Sequence, residues 1–220
     1  MKNKNNMSFI IFSSLLAMLG ISSCAEQKNQ QSMIQESVTY NSKLDTAIFA
    51  NGCFWCTEAV FQRVEGVVKV ISGYGGGHVL NPTYEQVCDK NTGHAECCKI
   101  LFDPTKVTYD ELLEIFWKTH DPTTKDQQGN DKGPQYRSAV FYLNEQQKEK
   151  ANHYKVELDK SGAFAKPIVT EIKAYTNFYP AENYHQNYYN ENSDQMYCRF
   201  VVRPKVEKFE QVFKSKLKKN

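Results

Sequence analysis

The hydrophobic positions along this 220-residue chain follow two periods. Compact apolar runs of strand length occur at 46–50, 66–73, 97–102, 138–143 and 168–173. Between them the spacing turns helical. Ala59, Val60 and Phe61 predict a helix running to about Arg63. Thr108 with Glu111 forms a capping box for a helix to about Thr119, and Asn144 caps another that ends at Gly162. Pro180-Ala181-Glu182 starts a short helical segment rich in Tyr and Asn, and Val206, Phe209 and Phe213 give a last helix its apolar stripe. The stretch 121–135 contains Gly129-Asn130-Asp131-Lys132-Gly133-Pro134, too polar and too rich in Gly and Pro for a regular element. Loops that long in a compact domain usually carry function. Strands joined partly by helices and partly by long loops predict an α+β domain with helices packed on a mixed sheet.

The first 43 residues follow neither period. Lys2 and Lys4 precede an apolar stretch at 9–21, roughly the length of a secretory h-region and too short for a comfortable bilayer span. It ends at Ile21-Ser22-Ser23-Cys24, which looks like a bacterial lipobox. Residues 1–24 are therefore expected to be a lipoprotein-type signal peptide, with Cys24 the site of lipid attachment. Residues 25–43, polar and rich in Gln, Asn and Ser, read as a flexible tether. That leaves 44–220 as one domain with a sizeable core, exported and held at the cell envelope by a lipid anchor only. The formal net charge of +2 is carried by the two leader lysines, so the mature part is neutral. Neutrality argues against a nucleic-acid partner. The Lys-rich tail from Lys214 reads as a solvated helix end.

Of the seven cysteines, Cys53, Cys56, Cys88, Cys97, Cys98 and Cys198 remain once Cys24 is set aside. An oxidising compartment permits disulfides, but adjacent Cys97 and Cys98 alternate faces on a strand and cannot easily pair. These two and Cys88 read as structural. Cys53 falls where the strand 46–50 turns, through Asn51-Gly52, into the first helix. Unpaired N–H groups and the dipole at a helix N-terminus favour a thiolate there. Cys56 follows one turn on, along the same face. A zinc site at this pair needs two more donors, from Cys97, Cys98 or a histidine, yet neither a second C-x-x-C nor an H-x₃₋₅-H occurs. A thioredoxin-like dithiol exchanger leaves Glu96, Asp131 and the tyrosines without a role. The glycines of Tyr74-Gly75-Gly76-Gly77-His78 match no phosphate-loop spacing.

Five segments in order bear on the choice. They are Gly52-Cys53-Phe54-Trp55 with Glu58, Asn81-Pro82-Thr83-Tyr84, Thr92-Gly93-His94-Ala95-Glu96, Gln128-Gly129-Asn130-Asp131 through Gln135-Tyr136-Arg137-Ser138, and Ala181-Glu182 with Tyr184-His185-Gln186. Together they resemble peptide methionine sulfoxide reductase A, over about residues 45–205. The resemblance implies reduction of methionine-S-sulfoxide, in proteins or free, with thioredoxin or a thioredoxin-like protein returning the enzyme to its thiol state. It implies no metal or cofactor. By motif match Cys53 is the nucleophile and Glu96 the acid. Tyr84, Tyr136 and Asp131 match the polar groups around the sulfoxide oxygen, and Phe54 and Trp55 the pocket for the methyl group. The expected fold is α+β, a mixed β-sheet packed with helices in a two-layer sandwich around a ferredoxin-like core.

Each implied role has a chemical reason. A sulfoxide oxygen cannot leave as an oxide, so a proton must reach it as the thiolate attacks, and the nucleophile needs a pKa below the ~8.5 of a free thiol. An ordinary Glu, with a pKa of ~4.3, has already lost its proton at neutral pH, so burial against rings must raise it. Phenols donate without titrating, and rings give sulfur favourable contacts. Attack leaves Cys53 as a sulfenic acid that condenses with a second thiol. Cys56 is the expected resolving cysteine because it is one helical turn away, with Cys198 the alternative. His185 reads as a local support, not a base.

Overall fold

The computed structural model of the chain describes residues 44–219. The expected signal peptide with Cys24 and the tether 25–43 lie outside the described residues. Along the chain come β1 (Asp45–Asn51), α1 (Phe54–Phe61), β2 (Val67–Gly75), α2 (Tyr84–Cys88), β3 (Ala95–Phe102) and α3 (Tyr109–Lys118). Then follow β4 (Gln127–Gln128), β5 (Asp131–Lys132), β6 (Ser138–Tyr142), α4 (Glu145–Lys160), β7 (Glu171–Ala174) and β8 (Phe178–Pro180). The last elements are α5 (Tyr188–Glu191), a π-helical turn at Cys198–Val202 and α6 (Arg203–Val212). Six strands form one sheet in the order β7-β6-β1-β3-β2-β8, antiparallel except where β7 joins β6 in parallel. The fold is α+β with a mixed sheet.

Period-two alternation sorts the sheet residues onto its two faces. Ala47, Phe49, Cys98, Ile100, Phe102 and Val140 join one large buried cluster with residues of α1, α3 and α6. Ile48, Ala50, Cys97, Ala139 and Phe141 form a smaller cluster on the other face, with Phe178 against it. Cys97 and Cys98 thus bury on opposite faces, both as free thiols. The capping boxes do their local work: Thr83 with Gln86 opens α2, Thr108 with Glu111 opens α3, and Asn144 caps α4.

Several boundaries differ from those the sequence predicts. The strand expected at 97–102 begins at Ala95, so Glu96 lies on it and faces Tyr74 of β2. The strand expected at 168–173 begins only at Glu171, because the N–H groups of Ile168 and Val169 bond to Asp159 and to the Pro122 carbonyl, away from the sheet. β8, three residues long and ending in proline, was below the length a pattern can show. The loop 121–135 carries a two-stranded hairpin, β4 with β5, followed by a 3₁₀ turn at Pro134–Tyr136. The Lys-rich tail is no free helix end: α6 stops at Val212, Leu217 bridges to Val64, and Lys216 pairs with Glu111.

Candidate active site

The turn from β1 into α1 sets the first residues of the site. Gly52 has φ +96°, a left-handed conformation, and a Cβ there would lie 2.6 Å from Cγ of Gln128. That close approach seats the polar loop against the start of α1. Cys53 is the N-cap, its carbonyl accepting from the N–H groups of Cys56 and Thr57 (3.1 and 3.3 Å). Thr57 Oγ1 donates to Asn51 Oδ1 at 2.6 Å and so ties the helix to the strand end.

Beside Cys53, Phe54, Trp55, Tyr84, Glu96, Asp131, Tyr136 and Tyr197 line a cavity of about 230 Å³. The sequence-predicted residues Cys53, Phe54, Trp55, Tyr84, Glu96, Asp131 and Tyr136 therefore meet in one place, drawn from β1–α1, α2, β3, β5 and the 3₁₀ turn. Two larger cavities, of about 600 and 570 Å³, lie elsewhere and contain none of these residues.

Glu96 is 2% exposed, and its Oε2 accepts from the Phe54 N–H at 3.0 Å. Burial first, and the Cys53 sulfur second, push its carboxyl well above the usual range, so it keeps its proton. Thr83 places Tyr84 at the first position of α2, and the Tyr84 N–H donates to Glu182 Oε1 at 2.9 Å. Glu182 Oε2 accepts from the Tyr74 hydroxyl at 2.8 Å, which fixes α2 against the sheet. Arg137 holds the 3₁₀ turn carrying Tyr136, donating to the Pro134 and Gly93 carbonyls (both 3.0 Å) and to Glu171 (3.1 Å). Burial raises the phenols of Tyr84 and Tyr136, so both remain donors.

Trp55 stacks on Tyr188 with centroids 3.7 Å apart, and its Nε1–H donates to His185 Nδ1 at 3.2 Å. Since Nδ1 accepts, the ring proton belongs on Nε2. Burial lowers the His185 pKa, and the neutral ring supports the indole. Tyr197 closes the wall: its hydroxyl donates to Asp131 Oδ2 at 2.7 Å and lies within hydrogen-bonding reach of the Cys53 sulfur. No spaced motif singles out Tyr197 or Tyr188 among the 13 tyrosines.

The sulfurs correct one expectation. The helix N-terminus was expected to favour a thiolate at Cys53, yet the residue is only 5% exposed. Burial, then its hydrogen bond to Cys56 and that neighbour's charge, push the Cys53 thiol up. Cys56 moves the other way: its hydrogen bond from Cys53 and the nearby Lys205 cation outweigh burial and draw its pKa down. The two thiols titrate as a pair, and desolvation defeats the dipole at Cys53. Cys198 is buried on the first residue of the π-helical turn, its thiol raised by burial and by Cys53. Cys88 ends α2 beside Tyr84.

Residues 45–217 match the family model described as peptide methionine sulfoxide reductase. The chain is 51% identical over 169 residues to the peptide methionine sulfoxide reductase MsrA of Picrophilus torridus, covering 77% of this chain and 95% of that one. With the MsrA of Nautilia profundicola it shares 56% identity over 163 residues, covering 74% and 92%. Among solved structures it is similar to Mxr1 from Saccharomyces cerevisiae in reduced form, with TM-score 0.67, 33% identity and coverage of 71% and 90%. A thiol, a protonated carboxyl and a wall of rings around one cavity, together with these matches, place the chain in the peptide methionine sulfoxide reductase family.

Proposed function

We propose that the chain reduces methionine-S-sulfoxide, in oxidised proteins or free, with Cys53 as nucleophile and Glu96 as acid. One observation carries the assignment of roles: a carboxyl that keeps its proton shares a small ring-walled cavity with a thiol. The substrate's methyl group and sulfur rest against Phe54 and Trp55. Its oxygen points to Glu96, Tyr84, Tyr136 and Asp131. As the Cys53 sulfur attacks, its proton passes to Cys56 in its thiolate form, the form that Lys205 favours, and Glu96 protonates the oxygen. The oxygen moves to Cys53, which becomes a sulfenic acid, and the thioether departs as methionine. Cys56 then gives up its proton and attacks Cys53. The S–S bond forms as the S–O bond breaks, and hydroxide takes that proton and leaves as water. Thioredoxin or a similar dithiol reopens the disulfide by thiol exchange.

Assay of an oxidised methionine peptide with dithiothreitol tests the reading. Turnover supports it, whereas insulin reduction without sulfoxide turnover would make the protein a general dithiol exchanger. Cys53→Ser is expected to abolish turnover, and Glu96→Gln to lower it by roughly 10²–10⁴-fold with binding retained. A Glu96→Gln enzyme close to wild-type rate would remove the acid from the mechanism.

The strand order β6-β1-β3-β2, reached through β-α-β-β-α-β connections, supports a ferredoxin-like core for residues 44–220. For the leader, the lipobox-like sequence supports export and lipid attachment at Cys24 in a bacterial envelope. Labelled fatty acid incorporated into wild type and lost in Cys24→Ala is the expected result.

A further inference from the structure

Lys205, in the first turn of α6, places its Nζ 3.6 Å from the Cys56 sulfur, across 149 residues of sequence. None of the ion pairs among the described residues involves it. Its charge therefore faces the thiol pair with no carboxylate in ion-pair contact, although Asp121 lines the same cavity as Lys205. The other ionisable groups around the pair are Tyr197, Glu96, Tyr84, Tyr136 and Cys198, all of which feel charge on Cys53, and Asp131, which opposes charge on Cys56. Behind Lys205, at the end of α3, His120 is held neutral, its pKa pushed by burial down to about 4. It adds no second cation.

The geometry points to Lys205 as a positioning residue for disulfide closure: its ammonium holds the Cys56 sulfur in the charged form that displaces oxygen from Cys53. This rests on Cys56 as the resolving thiol. In the proposed cycle Cys56 takes the proton of Cys53 during attack and must lose it again before it can close the bond. A fixed cation beside it favours that second ionisation. No new oxidant or reductant enters: the Cys56 sulfur is oxidised, the Cys53 sulfur is reduced from sulfenic acid, and water is released.

The test is the pH dependence of closure after one equivalent of oxidised methionine peptide, without reductant, followed by acid quench and peptide mapping. Lys205→Met and Lys205→Gln both remove the charge, so one poorly folded variant does not decide the result. Lys205→Arg restores it. In the neutral variants the midpoint of closure against pH is expected to move up by about one unit. Well below it, thiolate falls about tenfold but each thiolate becomes roughly threefold more nucleophilic, so closure slows about threefold. Well above it, closure becomes up to roughly threefold faster than wild type, since only nucleophilicity then differs. The arginine variant keeps the wild-type profile. A midpoint that stays in place in both neutral variants, or equal slowing at every pH as lost packing would give, overturns the assignment. If wild type forms no Cys53–Cys56 bond at all, Cys56 as resolver falls first and this proposal falls with it. If the bond forms and the midpoint does not move, Lys205 alone is refuted.

Discussion

Glu58 offers a quantitative test of the packing under the site. It lies on α1 at 2% exposure, with Oε1 accepting from the Asn187 N–H at 2.9 Å. Burial raises its carboxyl from an ordinary 4.5 to about 7, against hydrogen bonds from Asn187, Tyr188 and Ser72 that pull it down. Because the folded value is the higher one, the folded state holds the proton over a range where the unfolded chain has lost it. Stability therefore falls as pH rises from about 4.5 to about 7, and the full penalty persists above. At roughly 1.4 kcal/mol per pH unit, the gap makes about 3 kcal/mol. Glu58→Gln keeps an acceptor for Asn187 and cannot ionise. Urea unfolding of both proteins at pH 4 and pH 8 isolates the residue, since every other titration is common to both. The stability of the variant relative to wild type is expected to rise by about 3 kcal/mol between the two conditions. A difference unchanged within about 0.5 kcal/mol would refute the reasoning, and with it the claim that this carboxyl is sealed beneath α1.

Three further outcomes follow from the site's supports. Gly52→Ala forces a side chain onto a left-handed backbone and into Gln128, and is expected to cost about 2 kcal/mol or more in thermal or urea melts. Arg137→Met takes the guanidinium donor from the Gly93 carbonyl and leaves the Pro134 carbonyl only the backbone N–H of residue 137, and is expected to lower stability by about 1–3 kcal/mol. Its turnover should fall too, as the turn carrying Tyr136 loses its brace. Cys56→Ser is expected to release one equivalent of methionine per enzyme, though more slowly, and then stall with thioredoxin; continued recycling would assign the resolving role elsewhere.

Local signals in the sequence were strong where chemistry and backbone coincide. The capping box at Thr108 and the N-cap at Asn144 set helix starts, and β1 followed by Gly52 placed Cys53 at a helix N-cap. The spaced motifs brought Tyr84, Glu96, Asp131 and Tyr136 to one cavity although they lie on four separate elements. What sequence could not show depends on distance in the chain. Tyr197 reaches Asp131 across 66 residues and Lys205 reaches Cys56 across 149, and no local period encodes either contact. The thiol's ionisation is hidden from the sequence for a related reason. A helix dipole is legible from position alone, whereas desolvation depends on residues that the rest of the fold delivers. Short pieces such as β8 and the β4–β5 hairpin exist because partners hold them, and their own residues give little sign of it.

The proton kept on resting Cys53 also bears on survival among oxidants. Peroxide attacks thiolates, and an ionised, open sulfur would be consumed by the conditions that oxidise methionine in the first place. A buried sulfur that stays neutral until a sulfoxide is seated beside it is a poor target for such reagents. On the proposed mechanism, selectivity for the repair reaction over self-damage is thus built into the same desolvation that makes Cys53 look inert.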